Sequence, residues 1–405
     1  MKIDNPGDWL PTREEAVEFI LSKAEFPVFR TQRVSLNEAM GRYLAYDHHA
    51  RYDLPTSRTS NRDGIAFRYD DFVAASGDYS SWQPGKDYAF SNTGIAIHDE
   101  FDTTLSIENV EIEDGRLVLN AAPTEKHDMT SEVGSRLKAG ALLVCAFTRL
   151  EPGHLGLLAS GGYHEIAVIK QPDVAIIPSG NELVPPTMVP PRGKNIESNS
   201  WLLSAKVRSW GGKPHVTRII PDDLEILIKT LRRAASENDI VLFNAGSSKG
   251  TDDFAVEALQ TAGEMFFHRV SYGPGHHTSF SIVDGTPVLG LVGPPIGADF
   301  NADFYLRPLL DAYHQQSNKA PLIVRARLTA DYTSPAKIQF YTRGIVRKAS
   351  DGFEVDIVGI GDYITAYTTA NCYICFDCGL GMVPAGSVVE VELREPYDMS
   401  LFNEK

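Results

Sequence analysis

Three glycine-containing loops, each following a short apolar run, carry the groups best suited to hold a ligand. The first is Pro178, Ser179, Gly180, Asn181 and Glu182 after VAII; the second is GSSKGTDD, residues 246–253, after IVLFNA; the third is GPGHH, residues 273–277. A Gly- and Ser-rich loop running from a strand into a helix presents backbone N–H groups and hydroxyls to a phosphate, aided by the positive end of the helix dipole. The second loop has that character most clearly, although Gly246 and Gly250 serve equally well as a plain tight turn. Lys249, Gly250 and Thr251 stand in the wrong order for a P-loop, and no GxGxxG follows the first strand. The NTPase and dinucleotide-dehydrogenase readings therefore fall. Cys372, Cys375 and Cys378 form C-x2-C-x2-C, a spacing known from zinc and iron–sulfur sites.

The loops need a frame. Strand-like runs at 174–177, 215–219, 240–243, 265–270 and 288–291 alternate with helical stretches near 199–209, 223–236, 252–262 and 298–313. This alternation predicts a central three-layer α/β/α domain over 168–318, with a mostly parallel sheet whose ligands bind at the carboxyl ends of the strands. Before it, Thr12 and Glu15 have capping-box spacing and Ala16, Val17, Ile20, Leu21 and Ala24 share one helical face. Short alternating patches over 48–137 predict a β-rich inserted domain, flanked by 1–47 plus 138–167 as one discontinuous N-terminal domain. After Pro321 the runs LIVRARL, KIQFYTRGIV, GFEVDIVGI and SVVEVELRE predict a C-terminal small β-barrel or sandwich over 319–405.

Composition sets the outer limits. The 405 residues are 43% hydrophobic and 22% charged, which suits a multi-domain globular chain and neither disorder nor a fibrous repeat. The net charge of −15 repels phosphate backbones, so no nucleic-acid partner is expected. No apolar span suits a membrane, and four cysteines are too few for a disulfide framework; a cytoplasmic protein is expected.

Taken in order along the chain, these segments resemble the molybdopterin molybdenumtransferase family, MoeA and the gephyrin E domain. DLPTSRTSNRDGIAFR, with Asp63 and Gly64, resembles "DLPxFDNSAMDGYAV"; VAIIPSGNELV resembles "VAVLSTGDELV". NIESNSWLL, with Ser198 and Asn199, resembles "IYDSNSYML", and DIVLFNAGSSKGTDDF resembles "DVVLTSGGVSVGDYDF", keeping Gly246, Ser248, Gly250 and Asp253. The resemblance implies a molybdopterin-binding type of α/β domain and insertion of molybdate into adenylated molybdopterin, with Mg2+ assisting release of AMP. It also implies a homodimer, in which the partner's β-rich domain completes the cleft. By the same carry-over Asp63, Glu182 and Asp253 are the catalytic carboxylates, Glu182 and Asp253 holding the metal. Ser179, Gly180, Ser198, Asn199, Gly246, Ser248, Lys249, Gly250, Gly275, His276, Pro294 and Pro295 line the substrate. Carboxylates suit Mg2+ because it is a hard, oxygen-seeking cation.

The chain also departs from the pattern. The family's "KPGKP" is GPGHH here, so both lysines are lost, and "PGNP" becomes Val292, Gly293, Pro294 and Pro295. Asn181 and Glu197 stand where Asp is usual. Lys249 and His276 are the expected replacement cations, histidine being only partly charged near neutrality. The lost lysines also support a second reading of the cleft, a non-catalytic molybdopterin- or nucleotide-binding paralog for storage, delivery or scaffolding. NCYICFDCG falls on the family's "NGLIVLPEG" strand, where residues three apart face opposite sides, so the cysteines are expected to bind no metal.

Overall fold

The computed structural model describes residues 9–26, 29–245, 254–317, 320–333, 338–359 and 361–395. The chain divides into two compact units, Thr31–Ile169 in one and the remainder in the other. In the larger unit six strands form one sheet, in the order Lys213–Val216, Asp173–Ser179, Ile240–Ala245, Thr286–Leu291, Ser279–Val283, Glu264–Phe267. The first three neighbouring pairs are parallel. Ser279–Val283 runs antiparallel to both its neighbours. Its strand was not foreseen. It forms a hairpin with Thr286–Leu291 through Asp284 and Gly285, whose φ of 49 and 84 supply the left-handed pair that a tight hairpin turn requires.

Both faces of this sheet are covered. Leu224–Glu237 begins at Asp223, whose side chain accepts from Ile226 N, and buries Leu227, Leu231, Ala234 and Ala235 along one stripe. Together with Phe254–Ala262 it covers Ala175, Ile177, Val241 and Phe243. On the other face Leu203 and Val207 of Asn199–Ser209, with Phe300, Phe304 and Leu309, meet Val174, Ile176, Ile240 and Leu242. Arg13–Lys23 joins this second layer through Ala16 and Ile20, and its Thr12 and Glu15 make the foreseen capping box. The opening helix thus belongs to the larger unit, and it is Thr31–Ser35 that pairs with Glu165–Ile169 in the smaller one.

The C-terminal strands close on themselves. Gln339–Ala349, Gly352–Val358, Ile323–Leu328, Val388–Leu393 and Cys372–Phe376 are paired in that circular order, a five-stranded barrel. Cys372 faces the barrel core and Cys375 the outside, the opposite-face arrangement that alternation along a strand dictates. Within Thr31–Ile169, Gly64–Phe67 is the middle strand between Tyr88–Ser91 and Thr103–Ser106, with Ile65, Phe67, Tyr88, Leu105 and Leu117 beneath.

Candidate functional site

The strand order reverses between Asp173–Ser179, which connects outward to Lys213–Val216, and Ile240–Ala245, which continues to the other side. Such a switch point opens a crevice at the carboxyl ends of the two strands, where ligands of parallel sheets bind. Register places Ser179 beside Ala245 and Asn244 beside Leu291, so the carboxyl ends of three adjacent strands lie side by side.

The first loop is held by an Asn–Asp pair. Asn181 N donates to Asp222 Oδ2 at 3.0 Å, Asp222 N donates back to Asn181 Oδ1 at 3.3 Å, and Ser179 Oγ reaches Asp222 Oδ1 at 3.4 Å. Lys194 Nζ donates to Asn181 O at 2.6 Å. The Glu182 carboxylate folds back over Gly180, whose φ is +151; a Cβ there would lie 2.5 Å from Glu182 Oε2. Glycine suits this position because L side chains rarely adopt its φ, and its bare Cα leaves room for the carboxylate. Two carboxylates, Glu182 and Asp222, thereby flank Asn181. Asp222 is a residue that motif comparison missed. Its signal was the adjacent acidic pair Asp222 and Asp223 just beyond a strand, of which only Asp223 serves as the helix cap.

Buried amides join the helix Asn199–Ser209, the end of the strand Ile240–Ala245 and the turn after Thr286–Leu291. Asn199 Nδ2 donates to Asn244 Oδ1 and to Gly293 O, each at 2.8 Å, and Asn244 Nδ2 donates to Val292 O at 2.6 Å. Asn199 is 7% exposed, and its Oδ1 meets no donor among the described residues. Glu197 accepts from Ser200 N at 2.7 Å and caps the helix Asn199–Ser209 in place of Ser198, whose side chain makes no cap bond. Pro294 and Pro295 open the helix Pro295–Asn301. Gly275, with φ +98, lies against it: a Cβ on Gly275 would be 2.5 Å from Asn301 Nδ2, and one on Gly297 would be 3.3 Å from Gly275 N. His276 accepts from Val270 N through its carbonyl and sets its ring edge-on to His277, centroids 5.2 Å apart. It is His277 that lines a cavity of about 30 Å³ beside Ala245 and Gly290, together with His268.

Ser179, Gly180, Glu182, Asn199, Gly275, Pro294 and Pro295 therefore all stand on loops at this one edge of the sheet or on the helices that follow them. Asp63 lies in the other unit, where its Oδ1 accepts from Thr93 N at 2.7 Å and Thr93 Oγ1 at 3.1 Å. Gly246, Ser248, Lys249, Gly250 and Asp253 lie outside the described residues. Among the described residues no three His, Cys, Asp or Glu side chains cluster as a metal site, and no helix is long and apolar enough to cross a membrane.

A three-layer α/β domain with a polar crevice at its switch point, followed by a small β-barrel, is the architecture of a ligand-binding α/β protein. The chain belongs to the MoeA family: residues 12–162 match the MoeA N-terminal region (domain I and II), and residues 175–312 match the probable molybdopterin binding domain. A molybdopterin molybdenumtransferase of Staphylococcus aureus (strain COL) is 27% identical over 406 residues, covering 95% of this chain and 96% of its own. One of Staphylococcus epidermidis (strain ATCC 12228) is 28% identical over 385 residues, covering 89% and 91%. The crystal structure of a molybdopterin biosynthesis MoeA protein from Pyrococcus horikoshii OT3 superposes with a TM-score of 0.71 at 22% identity, over 95% of this chain and all of that one. Another Pyrococcus MoeA structure gives 0.79 at 24%, over 95% and 99%.

Proposed function

We propose that this protein is a molybdopterin molybdenumtransferase, which inserts molybdate into the dithiolate of adenylated molybdopterin and releases AMP. The observation that carries the reading is the convergence of the Ser179–Glu182, Asn199–Asn244 and Gly275 loops on one switch-point crevice, in a chain whose relatives of nearly equal length bear that name. Each part of the crevice has a task. Ser179 Oγ and the backbone around Gly180 meet an anionic group. The buried Asn199 Oδ1, lacking a donor among the described residues, accepts from a ring N–H of the pterin. Glu182 and Asp222 supply hard oxygen donors, and Mg2+ typically binds one or two carboxylates, completing its shell with water and substrate phosphate oxygens. That donor set suits Mg2+, which would neutralise the phosphate charge when bound. Asp253, by the family pattern, is a further carboxylate of the same cleft. Incubation of the purified protein with adenylated molybdopterin and molybdate should yield molybdenum-loaded cofactor and AMP in equal amounts, read by mass spectrometry; failure to form either would remove the reading.

We propose further that the chain works as a homodimer in a cytoplasmic, reducing compartment. Four cysteines in 405 residues are too few for a disulfide framework, which suits such a compartment. Asp63, which the family pattern assigns to the cleft, accepts from Thr93 in its own unit, and in the dimer it would serve the crevice of the partner. Sedimentation equilibrium at micromolar concentration should give twice the 44.6 kDa chain mass. A monomer would leave Asp63 without that role.

A further inference from the structure

The helices that begin at Asn199 and at Pro295 touch each other twice. At the crevice Asn199 Nδ2 donates to Gly293 O, just ahead of the second helix. Two helical turns further along Asn199–Ser209, about 10.5 Å by the rise of an α-helix, Lys206 lies on the same face as Asn199. Its Nζ stands 2.5 Å from Asp299 Oδ1, donates to Asp299 O at 3.3 Å, and pairs also with Asp303. Asp299 belongs to Pro295–Asn301 and is 1% exposed.

The barrel competes for the same carboxylates. Arg343, 2% exposed on Gln339–Ala349, pairs with Asp299, and Arg394 lies 3.8 Å from Asp299 and 3.9 Å from Asp303. Tyr373 on Cys372–Phe376 donates its hydroxyl to Asp303, and Arg307, near Asp303, pairs with Glu395 and Asp311. Three cations, the buried Arg343 and the partly buried Lys206 and Arg394, thus share two carboxylates. The arginines cannot give up their charge, so the lysine is the member that adjusts.

We propose that Lys206 is a positioning residue, whose ammonium, held between Asp299 and Asp303, fixes the register of the two helices that carry Asn199 and Pro295 into the crevice. With the ammonium in place Asp299 is drawn toward the helix of Asn199. Without it, Asp299 and Asp303 are left to the barrel arginines, and the Gly293–Pro295 corner is no longer set against Asn199. Burial pushes the Lys206 amine down to about 8, the attraction of Asp303 only partly offsetting it while Arg394 and Arg343 lower it further. The clamp is therefore engaged at neutral pH and released as pH rises through that value. Stability moves the opposite way. Between about 8 and the ordinary lysine value of 10.5 the unfolded chain holds the proton that the folded chain has lost, so this group favours folding more as pH rises.

The inference rests on the crevice being the site of reaction, and its test is built to fail separately from that reading. Hydrogen exchange at pH 7 should be several-fold faster across 197–204 and 292–301 in Lys206→Met than in wild type, and unchanged in Lys206→Arg. In parallel, wild-type insertion rates between about pH 6.5 and 9.5 should fall through about 8. Lys206→Arg should lose that alkaline limb, and Lys206→Met should be slower by about tenfold or more at every pH, the scale of a misplaced site. Faster exchange in an enzyme without insertion activity would sustain the clamp and remove only the molybdenum reading. Wild-type exchange in Lys206→Met, or an alkaline limb that persists in Lys206→Arg, would overturn the clamp.

Discussion

Glu182→Gln is expected to slow molybdenum insertion by about a hundredfold to a thousandfold while leaving the fold intact. The carboxylate folds back over Gly180 beside the switch-point crevice. It is half-buried, so neutralising it strands no buried partner, and the melting temperature should stay close to wild type. The reaction, by contrast, gathers charge at the phosphate being released, and loss of one charge-stabilising group at such a point costs about 3–4 kcal/mol, a hundredfold to a thousandfold in rate. Glutamine keeps the shape and the reach of the side chain, so a loss of this size isolates the charge. The measurement is the single-turnover rate of AMP release beside a thermal melt. Wild-type turnover in the glutamine variant would take the negative charge of Glu182 out of the reaction.

Motif order in the sequence singled out Glu182 as a candidate, but it could not supply Glu182's surroundings. Local signals were legible wherever one short segment carries the whole instruction: the Thr12–Glu15 capping box, the apolar stripe of Leu224–Glu237, and the alternation that sends Cys372 inward and Cys375 outward. The hairpin strand Ser279–Val283 was missed although its Asp284–Gly285 turn is itself a local signal, because the GPGHH run before it drew the reading toward a loop. Other features depend on residues far apart in the chain. Asp222 joins the site only because the strand Lys213–Val216 lies next to Asp173–Ser179, which returns the following loop to Asn181. Asn244 reads as an ordinary strand residue until the fold brings Asn199 and Val292 to its two ends. His276, expected as a substitute cation, directs its carbonyl to Val270, and the ring beside Ala245 is that of His277. Side-chain direction within a short irregular loop has no period to read.

The ion cluster between the barrel and the α/β layers belongs to this second class, and it makes the largest prediction about stability. Asp299→Ala should destabilise the protein strongly, whereas Arg343→Met should cost much less, although the two side chains are partners in one buried pair. The reason is the count of charges. With Asp299 gone, Lys206, Arg343 and Arg394 are left with Asp303 alone, and Arg343, which is 2% exposed, loses its carboxylate altogether. An uncompensated buried charge of this kind costs about 3–5 kcal/mol. With Arg343 gone, Lys206 and Arg394 balance Asp299 and Asp303, and the loss is chiefly the bond from Arg343 to Ala366 O, about 1–3 kcal/mol for a buried carbonyl left unpaired. Methionine refills most of the volume beside Phe300 and Tyr367, the rings against which the guanidinium packs. Urea unfolding of the two single variants, in the transition of the larger unit, should therefore separate them by at least about 1 kcal/mol, with Asp299→Ala the weaker protein. Equal losses would mean that the cluster acts through the single Asp299–Arg343 contact and that the excess of cations over carboxylates has no energetic consequence. A larger loss for Arg343→Met would place the dominant interaction in the barrel, at Ala366 and Tyr367, and leave Asp299 a minor partner.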